Sequence, residues 1–365
     1  MIYDLIVVGG GPAGTSAAIP CARNGARVLL LERGRFPRHK VCGEFVSAES
    51  LDLLSDLLAP QHKRILSEAV CIPRTRMFLD GRLLRAAIDP PAASIARLDL
   101  DHALWDSAEH YGVESWQQIA VQAISGGGPF LVKTSVGEFE SRALINASGR
   151  WSNLSSATNG RTAGVKWLGL KGHFAESSAL ASVDLYFFGG GYCGVQPVDI
   201  REGATRSGRV NACAMVRADV ASSLPEVFLR HPALLERSRQ WEALSDPVST
   251  SPLVFREPQP ERDGVLLAGD AAAFVDPFVG DGISLALRSG SLAGECLIPF
   301  FAGSISLPEA ASNYRGTYER RLTPVFRTSS KIRRMLNLPQ TVRMPILRLL
   351  ETTPALTRYL VSKTR

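Results

Sequence analysis

The sequence predicts an α/β fold: one parallel sheet that the chain leaves and re-enters, a strand-rich insert between the two visits, and a helical tail. Two glycine-rich segments roughly 255 residues apart frame that sheet. They are Val7-Val8-Gly9-Gly10-Gly11-Pro12-Ala13-Gly14 and Gly264-Val265-Leu266-Leu267-Ala268-Gly269-Asp270. Each contains or follows a short apolar run, the pattern of a buried parallel strand. Between them, residues 167–217 read as successive strands broken at Gly189-Gly190-Gly191, the pattern of a sheet with turns.

The first segment has a mechanical reading. Residues 3–8 are long enough for one buried strand, and Gly9 turns out of it. Gly11 has no side chain, so the backbone can approach a pyrophosphate, and Gly14 lets the next helix pack closely on the strand. That helix, near residues 13–24 with Pro12 at its start, aims its first N–H groups and its dipole at the phosphates. Asn24-Gly25 stops it, residues 27–31 form a second strand, and Glu32 ends that strand 18 residues past Gly14. A carboxylate there accepts hydrogen bonds from an adenosine ribose and repels a 2′-phosphate. These are the parts of a Rossmann-like dinucleotide site. In the second segment Asp270 follows a strand end, where it can bind a polyol hydroxyl. Phe278-Val279-Gly280-Asp281-Gly282-Ile283 then opens a helix running toward Cys296. Its first N–H groups can face an electron-rich ring edge. An ordinary strand–turn–helix with an N-cap aspartate explains the same residues.

Residues 1–70, 95–152 and 252–300 are assigned to the nucleotide domain, 71–94 and 153–251 to a substrate domain, and 301–365 to a basic helical segment. Helices are expected over 47–58 and 98–111, and a hairpin over 71–88, turning at Asp80-Gly81 and closed by Pro90-Pro91. Short strands follow over 120–144, and a helical stretch reaches about residue 244. A crevice between two such domains is where a ligand is expected.

Composition bounds the setting. At 365 residues, 45% hydrophobic and 21% charged, the chain can bury a full core. Six cysteines (21, 42, 71, 193, 213 and 296) show no CxxC and no His–Cys cluster. That argues against a disulfide framework or a zinc site and fits a reducing, cytoplasmic setting. No metal site is expected. The first strand begins at once, so no signal peptide is expected. No run reaches 18 uninterrupted apolar residues, so neither is a spanning helix. From residue 315 onward 12 Lys and Arg face two acids, which leaves −4 on the rest of a chain whose net charge is +6. Met335, Leu336, Leu338, Ile346 and Leu349 interleave this tail, and Pro339, Pro345 and Pro354 divide it into short helices. A helical cap with a solvated basic face accounts for the tail. Peripheral contact with an anionic membrane, or an acidic partner such as a carrier protein or CoA, also fits. Nucleic acid is excluded as a partner, because the charge lies on a tail and no recognition module is present.

Further pieces stand between and beside the glycine segments: Phe36-Pro37-Arg38-His39-Lys40-Val41-Cys42-Gly43-Glu44, Arg97-Leu98-Asp99, and Ala147-Ser148-Gly149-Arg150-Trp151-Ser152. Together and in this order, they resemble the FAD-dependent oxidoreductases of the aromatic-hydroxylase (p-hydroxybenzoate hydroxylase) fold. Within these the chain is most similar to the geranylgeranyl-reductase-like branch. The resemblance implies FAD as cofactor. It places Gly9, Gly11, Pro12, Ala13 and Gly14 at the pyrophosphate, and Glu32, with Arg33 beside it, at the adenosine ribose. Arg97 would lie near the pyrophosphate or adenine, and Asp270, after Gly269, on the ribityl chain. Gly280, Asp281, Gly282 and Ile283 would back the isoalloxazine. The loop 40–47 would border the flavin and the substrate entrance. There Cys42 is a candidate flavin-edge thiol or substrate contact, and Glu44 a candidate proton donor. A packed loop cysteine and a helix-start carboxylate explain these two as well. His173, Tyr192 and Cys193 are candidate substrate contacts, against a satisfied structural histidine and a tight turn.

FAD carries the hard step, so the pocket selects the reaction. Reduction of a C=C bond in a hydrophobic small molecule leads. Tyr192-Cys193-Gly194-Val195-Gln196-Pro197 stands where prenyl reductases carry Tyr-x-Trp-x-Phe-Pro, although the Trp and Phe are missing. Aromatic hydroxylation is the alternative. Residues 148–155 lack the Asp and Arg of the hydroxylases' Asp-Gly-x-x-Ser-x-x-Arg motif, which disfavours direct use of NAD(P)H and points to a separate reductase or ferredoxin as the electron source. Halogenation ranks lower, because 192–197 contain no Trp and no tunnel lysine is identified. A flavin-binding protein without turnover is the remaining class.

Overall fold

The computed structural model describes residues 2–150, 154, 166–199, 208–250, 253, 255–336 and 338–353. Trp151, Ser152, the expected domain boundary at 153, and the tail from Pro354 onward lie outside the described residues.

The apolar strand β1 (Ile2–Val8) feeds α1 (Pro12–Arg23), which Pro12 starts and Asn24 caps. β2 (Val28–Glu32) is buried throughout, as a central parallel strand must be. β3 (Phe45–Val46), α2 (Leu51–Leu57) and α3 (Arg64–Ser67) lead to the long hairpin β4 (Val70–Leu79) and β5 (Arg82–Ser94). The chain returns through α4 (Arg97–His110), β6 (Glu114–Gln117), β7 (Val121–Gly126), β8 (Phe130–Thr134) and β9 (Gly137–Asn146). It leaves again for β10 (Trp167–Glu176), β11 (Val183–Phe188), β12 (Gly191–Asp199) and β13 (Gly208–Arg217). After α5 (Leu224–Phe228), α6 (Pro232–Ser238), β14 (Glu242–Ala243) and β15 (Val248–Thr250), it re-enters through β16 (Glu261–Arg262) and β17 (Val265–Leu267). Helices α7 (Gly282–Phe301), α8 (Leu307–Arg321), α9 (Thr323–Leu336) and α10 (Gln340–Thr352) complete the described chain.

Two sheets result. The first runs β16-β17-β9-β1-β2-β6, with β8 on β9 and β7 on β8. Its centre is parallel: Leu5 of β1 faces Val28 of β2 on one side and Ala143 of β9 on the other. The second runs β14-β10-β13-β12-β11-β4-β5-β3, with β15 on β10. Helix α7 packs on α1 almost backbone to backbone. A Cβ at Gly290 would stand 2.0 Å from the Ala13 carbonyl oxygen. The start of α1 is thereby fixed against the middle of α7, and residues at the start of each helix line the cavity described below.

Four local expectations change. The helix expected over 47–58 is a 3₁₀ turn (Ala48–Ser50) followed by α2, because Ser47 is bonded to Asp281 and Ser284 instead of capping a long helix. Pro90-Pro91 does not close the hairpin. β5 runs through both prolines, where the register to β4 breaks between Ile72 and Arg74 and no ladder N–H is needed. The stretch toward residue 244 divides into α5 and α6, with Pro232 opening the second. Pro345 lies inside α10 instead of ending it; Thr341, whose carbonyl loses its intrahelical partner, is exposed to water.

The tail is docked. Ser306 and Glu309 form a capping box on α8, and the Tyr314 hydroxyl donates to the Leu267 carbonyl at 2.7 Å. Arg343 of α10 grips Asp80 at the β4–β5 turn through two bonds of 2.7 Å. Among the described residues no helix is long and apolar enough to cross a membrane.

Candidate functional site

A cavity of about 570 Å³ lies along the carboxyl ends of β1, β2, β9 and β17 and reaches the inner face of the second sheet. In open α/β sheets this is where ligands bind.

At one end Gly9, Gly11, Pro12, Ala13, Glu32, Arg33 and Arg97 line it. The space over Gly11 is open, since a Cβ there would meet only Arg97 Nη2 at 3.9 Å. No side chain caps the start of α1, so its first N–H groups are available to an anion. Gly14 does not line the cavity; its place is against the Gly9 carbonyl under the turn. Glu32 accepts from Gly10 N at 2.9 Å, Gly34 N at 2.6 Å and Arg38 Nη1 at 2.9 Å. Burial pulls its pKa upward, but Arg38 and the two N–H groups outweigh burial and hold it below the ordinary value. Arg97 is locked by Asp101 through two bonds of 2.7 Å. Burial opposes its charge, and Asp101 more than compensates.

Gly269 and Asp270 line the middle, and Gly280, Gly282 and Ile283 the region at the start of α7. Arg150 Nε stands 3.3 Å from Asp270 Oδ2 and lies over the Phe274 ring at 4.0 Å. Its Nη1 is buried with no hydrogen-bond partner among the described residues. The Asp281 side chain is a correction. It does not line the cavity and instead accepts from Ser47 Oγ at 2.9 Å, with Oδ2 buried and unbonded. Burial pushes its pKa up to about 6.

The loop 38–44 forms one wall. Cys42 lines it and accepts from Glu44 N at 3.3 Å. Glu44 is not free to act as a proton donor. Its carboxylate is fully buried and takes Lys171 Nζ, the Arg97 N–H at 2.8 Å and His173 Nε2 at 2.8 Å. Burial would raise its pKa, yet His173 and Lys171 prevail and keep it low and ionised. His173 is therefore no substrate contact; it is 2% exposed, absent from the cavity lining and bonded to Glu44. Tyr192 lines the cavity. Cys193, its neighbour on β12, points to the opposite face and packs with Tyr186, Val195 and Val210.

The sequence reading missed Arg38, Lys171, Asn211 and Cys213. Lys171 left a signal: with His173 it occupies alternate positions of an apolar strand, the mark of a polar patch on one buried face. Cys213, opposite Lys171 on β13, lines the cavity and gave no comparable signal.

The Tyr192 hydroxyl is buried without a partner among the described residues. Tyr192→Phe is accordingly expected to stabilise the ligand-free protein by about 1 kcal/mol, read as a rise in melting temperature. An unchanged or lower melting temperature would mean that the hydroxyl is satisfied.

An extended cradle with an open helix start at one end and orphaned polar atoms along its length fits FAD. A family model described as FAD dependent oxidoreductase matches residues 4–37, which contain the β1–α1 end of the cradle and Glu32. The chain is an FAD-dependent oxidoreductase. It is 26% identical to digeranylgeranylglycerophospholipid reductase 2 of Methanopyrus kandleri, over 91% of this chain and 86% of that protein. Among the solved structures that share its fold are two with full coverage of this chain. A geranylgeranyl bacteriochlorophyll reductase-like protein of Thermoplasma acidophilum has a TM-score of 0.77 at 19% identity, over 100% of this chain and 95% of its own. A flavin-dependent brominase has a TM-score of 0.79 at 19% identity, over 100% and 93%. Halogenation, ranked low from the sequence, thus stands beside reduction among the relatives of this oxidoreductase. When bound, FAD supplies two-electron transfer. Gly11, the α1 start, Arg97 and Asp270 are the groups that would hold it.

Proposed function

We propose that the enzyme reduces a C=C bond of a hydrophobic, polyprenyl-like small molecule. The carrying observation is the apolar part of the cavity lining, which includes Val41, Phe45, Met215, Leu253 and Phe274. The Methanopyrus relative supports the substrate class, since by its name it reduces a lipid bearing two geranylgeranyl chains. With Glu44 committed elsewhere, the proton that accompanies hydride is assigned to His39, the imidazole that lines the cavity. Arg321, Arg327, Lys331 and Arg334 are exposed on the docked tail, which suits substrate delivery from an anionic membrane surface.

Halogenation is the second reading. It is favoured by the brominase likeness and by Lys40, a lysine in the cavity lining. One experiment tests both. The FAD-loaded protein is reduced chemically and given polyprenyl lipids and menaquinones in two parallel arms, one without oxygen and one with oxygen and bromide, and products are read by mass spectrometry. A gain of two hydrogens without oxygen or halide is expected. A product that requires oxygen and bromide and carries bromine overturns the reductase reading in favour of halogenation. A hydroxylated product overturns it in favour of hydroxylation. Omitting the chemical reductant and supplying NAD(P)H then shows whether a separate reductase is needed.

A further inference from the structure

We propose that Lys171 and His173 are positioning residues, which hold the cavity-lining loop 38–44 in place by gripping Glu44 from the second sheet. The two lie two residues apart on β10 and so share a face. Opposite them on β13 stand Cys213 and Asn211. Lys171 is 1% exposed, His173 2% and Glu44 0%. Few folds bury a lysine and a glutamate this completely, because each charge must recover its lost hydration from a partner.

The loop is held at several points. Asn211 Nδ2 donates to the Cys42 carbonyl at 2.9 Å. Glu44 O accepts from Ile95 N at 3.0 Å. The Glu44 carboxylate takes Lys171 and His173 from below and the Arg97 N–H at 2.8 Å from the side. Glu44 has φ +63°, a left-handed conformation uncommon for a residue with a side chain. Such a backbone persists where its surroundings over-determine it, and the buried carboxylate provides that. The residues just before it, His39, Lys40, Val41 and Cys42, line the cavity. His39 also sets its ring edge against His173, with centroids 5.4 Å apart. The grip on Glu44 thus fixes what the cavity presents. None of this depends on which reaction the enzyme performs.

The test uses the buried-pair asymmetry: removing one partner strands a buried charge, whereas removing both is mild. Full-length, FAD-loaded wild type, Lys171→Met and Glu44→Gln/Lys171→Met are labelled with a maleimide, and labelling of Cys42 is followed by peptide mass spectrometry. Cys296 of α7, half-buried and outside the loop, is the internal reference. In Lys171→Met the stranded carboxylate leaves its site and the Cys42 rate rises about tenfold over the reference, while the double variant returns toward wild type. A wild-type Cys42 rate in Lys171→Met overturns the proposal, as does a double variant that labels as fast as Lys171→Met. If Lys171→Met does not fold, a folded double variant is the expected rescue, and two unfolded variants overturn the proposal. Labelling needs no turnover, so a failed reductase reading leaves this result interpretable.

Discussion

Gly14→Ala is expected to cost the protein much of its stability, and Gly11→Ala its cofactor alone. A Cβ on Gly14 would stand 1.7 Å from the Gly9 carbonyl oxygen and 2.9 Å from the Gly9 carbonyl carbon. Those atoms are backbone and have no rotamer to change. Gly9 cannot retreat either. It sits at φ +108°, and its own Cβ position is blocked by the Ala147 carbonyl oxygen at 2.4 Å. The methyl must therefore pry α1 from β1. Overpacking of this kind costs about 3 kcal/mol, the upper end of its usual range and a large share of the roughly 5–15 kcal/mol that keeps a domain folded. Gly11 is the opposite case. Its φ of −77° suits any residue, and a Cβ would meet only Arg97 Nη2 at 3.9 Å. The fold is expected to tolerate alanine there. The methyl instead fills the approach to the pyrophosphate, and FAD affinity is expected to fall on the order of 100-fold. Thermal melting without FAD, paired with the flavin-to-protein absorbance ratio, separates the two. A Gly11→Ala protein that retains FAD would move the pyrophosphate away from α1. A Gly14→Ala protein that melts with the wild type would show that the turn has slack.

What could be read in advance follows from how far each residue's partners lie along the chain. Gly9, Gly11, Gly14 and Glu32 act within one strand–turn–helix–strand unit, so their spacing alone carries their roles. Glu44 does not. Its decisive partners, Lys171 and His173, lie 127 and 129 residues away, and nothing in Val41-Cys42-Gly43-Glu44 signals them. Tyr192 and Cys193 illustrate a second limit. Alternation says that neighbours on a strand face opposite ways, but only the sheet packing says which of them meets the cavity. Asp281 shows a third. Its position before α7 reads as a flavin contact or an N-cap, and the structure gives it neither of those side-chain roles, because Ser47 takes the carboxylate.

That Asp281 carboxylate sets the second large effect, in which Asp281→Asn makes the protein more stable at neutral pH. Its pKa is about 6 in the folded protein against an ordinary 3.8, with burial the leading cause. Below about pH 4 the group is protonated in both folded and unfolded chains and contributes nothing. Between about pH 4 and 6 the unfolded chain gives up the proton while the folded one keeps it. The folded state then binds more protons, so stability falls as pH rises. Above about pH 6 both are ionised and the full cost remains, about 3 kcal/mol. The start of α7 favours a negative charge by about 0.3–1 kcal/mol, too little to offset this. Asparagine removes the charge and keeps an oxygen for Ser47 Oγ. Asp276, also raised to about 6 by burial with Arg333 opposing, remains in both proteins, as do Glu32 and Glu44, whose lowered pKa values act in the other direction. The informative quantity is therefore the difference between variant and wild type. Denaturant unfolding of the FAD-free proteins is expected to give no difference near pH 4 and a gap that opens to about 3 kcal/mol by pH 8. FAD binding by the variant should be intact, since the Asp281 side chain does not line the cavity. A gap that is the same at both pH values would mean that Asp281 does not titrate between them. A destabilised variant would mean that the buried negative charge is one the fold requires.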